Sequence, residues 1–158
     1  MNKFTIIMFL IVGEMFAYSQ DIKNADTIQY PILLSAEMPL YPPIARGAHL
    51  SGVVKIYVSV EDGVVKHAEL VHGEVMMRNS KKELSKTVEN KLLVHIANPS
   101  LKNVETWEFV PEYKGGFTVT FIYEIEGEET IFPENPKVEM ELPFVVKVKI
   151  KPVKPTQT

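Results

Sequence analysis

The chain has 158 residues, with 17 Lys and Arg against 20 Asp and Glu, and its formal charge of −3 offers no positive field to a nucleic acid. It has no cysteine, which excludes disulfides, thiolate nucleophiles, iron–sulfur clusters and cysteine-based zinc sites. The length suits one domain with a substantial core.

Met1-Asn2-Lys3 opens the chain, an apolar run continues from Phe4 to Val12, and Gly13 and Glu14 break it before the small residues of Ala17-Tyr18-Ser19. This pattern predicts a secretory signal peptide over residues 1–19, with an uncleaved tether as the alternative, and a periplasmic or secreted product, peripheral at most to a membrane. A spanning helix needs about 30 Å of apolar length, and the run from Phe4 to Val12 supplies about 13 Å.

Residues 20–37 read as a leader with one apolar patch, Ile32-Leu33-Leu34. Pro39, Pro42 and Pro43 punctuate the next stretch of chain, and Pro43-Ile44-Ala45-Arg46 predicts a single helical turn stopped by Gly47. From Gly52 the pattern alternates, with Val54, Ile56, Val58 and Val60 on one face and Val53, Lys55, Tyr57 and Ser59 on the other. Asp62-Gly63 predicts a hairpin turn, and the return strand runs from Val64 to Val71 with a less regular alternation.

Ser80 is placed to cap a helix carrying Leu84, Val88, Leu92, Leu93 and Ile96, with Glu83 near its third position. Asn98-Pro99 predicts a break and a second, shorter helix that carries Leu101 and Val104. Trp107, Phe109 and Pro111 introduce a third strand, in which Phe117, Val119, Phe121, Tyr123 and Ile125 oppose Thr118, Thr120, Ile122 and Glu124. A last alternating run from Val138 to Ile150 contains Pro143, which predicts an edge strand or a bulge.

These elements predict an α+β fold: a small antiparallel sheet of three to four strands, one or two helices on one face, and an extra C-terminal edge strand. The domain is expected over 38–152, its appended strand over 138–150, and a frayed tail over 153–158.

Pro39-x-Tyr41-Pro42-x-x-Ala45, Gly52-x-Val54-x-Ile56-x-Val58-x-Val60, Asp62-Gly63-x-Val65 and Trp107-x-Phe109-x-Pro111 occur in that order. Together they resemble the C-terminal domain of the TonB energy transducers, over roughly Pro39 to Ile125. The resemblance implies a periplasmic domain that captures an outer-membrane receptor segment as an added strand, held by main-chain hydrogen bonds. It places partner contacts at Pro39, Leu40, Tyr41 and Pro42, and strand addition is expected at a sheet edge, either along Thr118, Thr120, Ile122 and Glu124 or along the strand from Val138 to Ile150.

This chain departs from the family pattern in four places. The family's membrane anchor and long proline-rich spacer are not expected here, since the domain is expected to begin about 20 residues after the predicted signal. The family's Gln-Pro-Gln-Tyr-Pro stretch reads Met38-Pro39-Leu40-Tyr41-Pro42, without its amides. The region between His72 and Leu92 is longer than the family's. The run from Val138 to Ile150 is placed to pair with the strand from Phe117 to Ile125 and to occupy the edge a receptor segment would use.

No motif of bond-breaking chemistry occurs, and neither an enzyme nor a cofactor is expected. His67 and His72, five apart on one strand, are expected on opposite faces, which defeats a shared metal. His67 and Glu69 share a face as two potential zinc ligands without a third. Lys147, Lys149 and Lys151 read as an edge-strand guard, and Trp107 as a core residue. The expected partner is a protein. The alternative is a structural or self-associating exported domain, such as a homodimer, with no transport coupling.

Overall fold

The computed structural model describes residues 30–77, 85–127, 131 and 136–153. The predicted signal, the leader up to residue 29, the helix-start residues Ser80, Glu83 and Leu84, and the tail from 154 lie outside the described residues.

The elements in chain order are β1 (Leu33–Ser35), α1 (Pro43–Gly47), β2 (Leu50–Glu61), β3 (Val64–Met77), α2 (Lys86–Glu105), β4 (Glu108–Phe109), β5 (Gly115–Ile125), β6 (Lys137–Glu141) and β7 (Val145–Ile150). They form one seven-stranded sheet in the order β1-β4-β3-β2-β5-β7-β6, antiparallel throughout except for the parallel pair β5 and β7.

The expected three to four antiparallel strands are therefore corrected to a curled, mixed, seven-stranded sheet with two helices. Three causes account for the difference. β1 and β4, at three and two residues, are too short to show a period of two. The run read as one strand from Val138 to Ile150 folds back at residues 142–144 into the hairpin of β6 and β7, and Pro143 sits in that turn, where no ladder hydrogen bond is asked of it. β1 is drawn from the segment read as a leader, so the sheet begins before residue 38.

The long strands follow their alternation. Val54, Ile56, Val58 and Val60 of β2, Phe117, Val119, Phe121 and Tyr123 of β5, and Val146, Val148 and Ile150 of β7 are all buried on one face. The opposite face is open, as expected of a sheet covered on one side. The turn at Asp62-Gly63 has positive φ at both residues, 53° and 71°, which matches the right-handed twist of the hairpin.

α2 is one helix rather than two. Pro99 deprives the His95 carbonyl of its helical donor. Burial of Ile96 and Ala97 before it and of Ser100 and Val104 after it keeps the axis continuous. Ser100 Oγ donates back to the Ile96 carbonyl at 2.9 Å.

The helix crosses the strands rather than running along them. Leu93 lies over Gly73 in β3, Ile96 over Gly52 in β2, and Ser100 meets Tyr123 in β5. Seven residues of helix rise about 10 Å, the width of two strand spacings. The same rise carries Lys86 about 10 Å beyond Gly73, so the first two turns of α2 overhang the outer border of β3.

Trp107, fully buried, packs its ring 6.2 Å from Phe121 and 6.4 Å from Phe109, and Phe109 meets Phe117 edge-on at 5.6 Å. This aromatic cluster fills the space between the α2 C-terminus, β4 and β5.

Candidate protein-binding edges

Three stretches of chain are candidates to receive a partner, and they differ in what covers them. The outer border of β5 is closed. β7 pairs with it in parallel from Thr120↔Val145 to Ile125↔Ile150. The Thr120 amide donates to the Phe144 carbonyl at 2.8 Å, and the Glu126 amide to the Ile150 carbonyl at 2.8 Å. By alternation the amides of Ile122 and Glu124 point at β7 as well.

The expectation that the C-terminal run takes this border thus holds, with β7 as the occupying strand. Strand addition along Thr118, Thr120, Ile122 and Glu124 is corrected accordingly: from Thr120 onward their main-chain groups are already used. Their side chains stand on the open face, where Ile122 lies opposite Val53 and Thr118 opposite Tyr57. Glu124 takes the Lys147 ammonium at 2.9 Å. Lys149 reaches Glu139 at 3.4 Å and Glu126 at 3.7 Å, so both lysines belong to ion pairs that tie β7 to its neighbours on each side rather than to an exposed rim. A hydrogen bond from the Lys137 ammonium holds the Glu139 carboxyl below its usual range.

The segment over residues 39–42 is mostly interior. Pro39, Tyr41 and Pro42 are buried, and among the four only Leu40 is exposed. The Tyr41 hydroxyl donates to the Leu50 carbonyl at 2.6 Å, and its ring meets Tyr123 edge-on at 5.4 Å. Burial pushes this phenol well above its ordinary range. Tyr41 fixes α1 against β2 and the core, so its side chain is not presented to a partner.

The third stretch is the outer border of β3. β4 pairs with it only at Val64↔Glu108, with the Phe109 amide donating to the Gly63 carbonyl at 2.7 Å. From Lys66 to Met77 no other strand lies outside β3 among the described residues. Because Thr120 points at β7, the odd residues of β5 bond β2 through its even residues, and the odd residues of β2 bond β3. The main-chain groups of Ala68, Leu70, Gly73, Val75 and Met77 therefore face outward.

The β2–β3 register shifts twice, leaving Lys66 and Val71 as extra residues in β3. The shift at Val71 corrects the expectation for the histidines. His67, Glu69, His72 and Glu74 all lie on the open face, opposite Ser59, Tyr57, Lys55 and Val53. His67 approaches Glu69 at 3.5 Å and His72 approaches Glu74 at 3.0 Å. Among the described residues no three potential ligands converge on one metal position. The β3 border was missed from sequence, although Leu70-Val71, two apolar residues breaking the alternation, mark the bulge within it.

At the far ends of the curled sheet, residues 33–38 and Met140 with Leu142 line a shallow apolar cleft between β1 and β6. No described helix is long and apolar enough to cross a membrane. No protein-family model matches the chain, and no curated protein matches it.

Proposed function

We propose that this chain is a non-enzymatic protein-binding module that takes an extended segment as an added strand, and that the receiving border is the outer side of β3. The supporting observation is the run of outward main-chain groups from Ala68 to Met77, unpaired among the described residues because β4 meets β3 only at Val64, in a sheet whose β5 border is filled by the chain's own β7. Such a border is a ready template, and its affinity would come from main-chain hydrogen bonds. The overhanging start of α2 roofs the strand that would enter, so its helix-facing side chains meet the underside of α2 and its other side chains continue the open face.

The resemblance to the TonB C-terminal domain supports an exported setting and a protein partner. A receptor segment entering at β5 would have to displace Val146, Val148 and Ile150, each fully buried and each stabilising by about 1.5–3 kcal/mol. Among the described residues β3 carries no such occupant beyond Val64.

The test is selection of extended peptides on the purified protein, followed by amide exchange of the complex. Slowed exchange confined to Ala68, Leu70, Gly73 and Val75 is expected. Slowed exchange at β6 or β7 with β3 unchanged would refute the β3 border as the receiving edge.

A further inference from the structure

We infer that the strand added at the β3 border is β3 of a second copy, paired antiparallel about a two-fold axis at Leu70. The inference rests on the strand-addition reading above and names its occupant. Register and charge together select this pairing. A two-fold pairing of two β3 strands must oppose outward-facing residues with one another, which leaves only a few registers.

Centring on Leu70 opposes Ala68 with the partner copy's Gly73. On the open face it sets Glu69 opposite His72 and His67 opposite Glu74, so four cross-copy pairs of opposite character form by symmetry. The paired stretch runs over residues 67–74, because past it the second copy's Met76 meets Val64, which β4 already holds through Glu108, and must turn aside. Moving the centre by half a step either way, to lie between Ala68 and Leu70 or between Leu70 and Gly73, puts Glu69 opposite Glu69 or Glu69 opposite Glu74. Like charges opposite one another destabilise a sheet.

β4 and the helix overhang select the same register. A centre at Ala68 opposes Glu69 with His67 but brings the second copy's His72 onto Val64, which β4 already pairs. A centre at Gly73 opposes His72 with Glu74, but it drives the two overhanging α2 helices head-on over one position. The Leu70 centre separates their crossing points by four residues of strand, about 13 Å, wider than the 8–10 Å of packed helices. The two helices then lie side by side, each roofing the other copy's β3. Val71, at 59% exposure, and Leu70, at 39%, lie at the two-fold axis and lose solvent on pairing.

Charge at this seam depends on histidine. The groups facing His67 and His72 are Glu69 and Glu74 on β3, Lys55 and Tyr57 on β2, and Lys66 at the neighbouring bulge, while Glu61 beyond Ser59 is held by Lys114. Each histidine gains a second carboxylate on pairing, so protonated histidine favours the dimer. Association should therefore be tighter between the ordinary carboxylate and histidine ranges than above them.

Sedimentation equilibrium at pH 5.5 and 8.0 tests the inference. A dimer at least about tenfold tighter at pH 5.5 is expected from four exposed ion pairs. The double variants E69K/E74K and H67E/H72E alter only exposed side chains, and far-UV circular dichroism checks that each is folded. Each alone should stay monomeric at pH 5.5, and a mixture of the two should form a heterodimer, since every cross-copy pair is then again of opposite sign.

A monomer at both pH values overturns the inference, and so does a dimer that both variants leave unchanged or that their mixture fails to restore. None of these outcomes touches the peptide-protection experiment, which judges the β3 border separately.

Discussion

Val148→Ala probes whether β7 is a built-in part of the sheet. Val148 is fully buried, lies beside Tyr123 of β5 and opposite Val138 of β6, and faces the core. The substitution removes two methyl groups from that position, which at about 0.8 kcal/mol each gives about 1.6 kcal/mol of lost transfer energy. A residual cavity of about 30–40 Å³ adds about 0.7–1 kcal/mol at about 24 cal/mol per Å³. The expected cost is about 2–3 kcal/mol.

Equilibrium urea unfolding, followed by Trp107 fluorescence, measures it. With a slope of about 1.5–2 kcal/mol per M, the midpoint should fall by about 1–2 M at unchanged slope. Val145→Ala, half-buried on the open face, serves as the control and should cost less than about 1 kcal/mol. Equal effects of the two substitutions, or a Val148→Ala cost under about 0.5 kcal/mol, would show that β7 does not fill the β5 border, and the assignment of β3 as the receiving edge would fail with it.

Ser100 and Tyr123 share a buried hydrogen bond of 2.8 Å beneath α2, so Ser100→Ala and Tyr123→Phe should each cost about 1–3 kcal/mol, with a double-mutant coupling above about 0.5 kcal/mol by urea unfolding. Burial pushes the Tyr123 phenol up to about 12, against an ordinary value of 10.0, with the bond to Ser100 offsetting part of the rise. The unfolded phenol loses its proton first, so stability present below pH 10 is lost as pH climbs from 10 to 12, and Tyr123→Phe should flatten that decline in chemical denaturation. Gly63 has a φ of 71°, and an added Cβ would lie 2.5 Å from the Phe109 carbonyl. Gly63→Ala should therefore lower the melting midpoint by several degrees through a cost above about 1 kcal/mol, and an unchanged midpoint would contradict the β3–β4 contact.

Legibility in the sequence tracks the range over which side chains repeat. β2, its turn and β5 alternate over nine or more residues against a solvated face, and the core faces of β2 and β5 stand as expected. α1 was readable because Pro43 and Gly47 bracket it. β1 and β4 offered no period, being held by partners such as Phe109↔Leu33 that lie distant in sequence.

Pro99 and Pro143 misled in opposite directions, for one reason. A proline states only that an amide is missing, and packing around it decides whether a helix continues or a strand turns. Val71 is the subtler case. One extra residue moves His72 to the face of His67, and local spacing cannot count a residue that bulges out of register. The candidate edge was legible at β5, where the capping run also alternates. At β3 it was not, because an unpaired border is a property of the whole sheet order.

Amide hydrogen exchange on the dilute protein, read residue by residue by NMR, bears most directly on the claim that β7 closes the β5 border while the β3 border past Val64 stays open. The amides of Thr120, Ile122 and Glu124 should be protected to nearly the global stability, while those of Ala68, Leu70, Gly73 and Val75 exchange orders of magnitude faster. Rapid exchange at Thr120, Ile122 and Glu124, together with firm protection along β3, would contradict it.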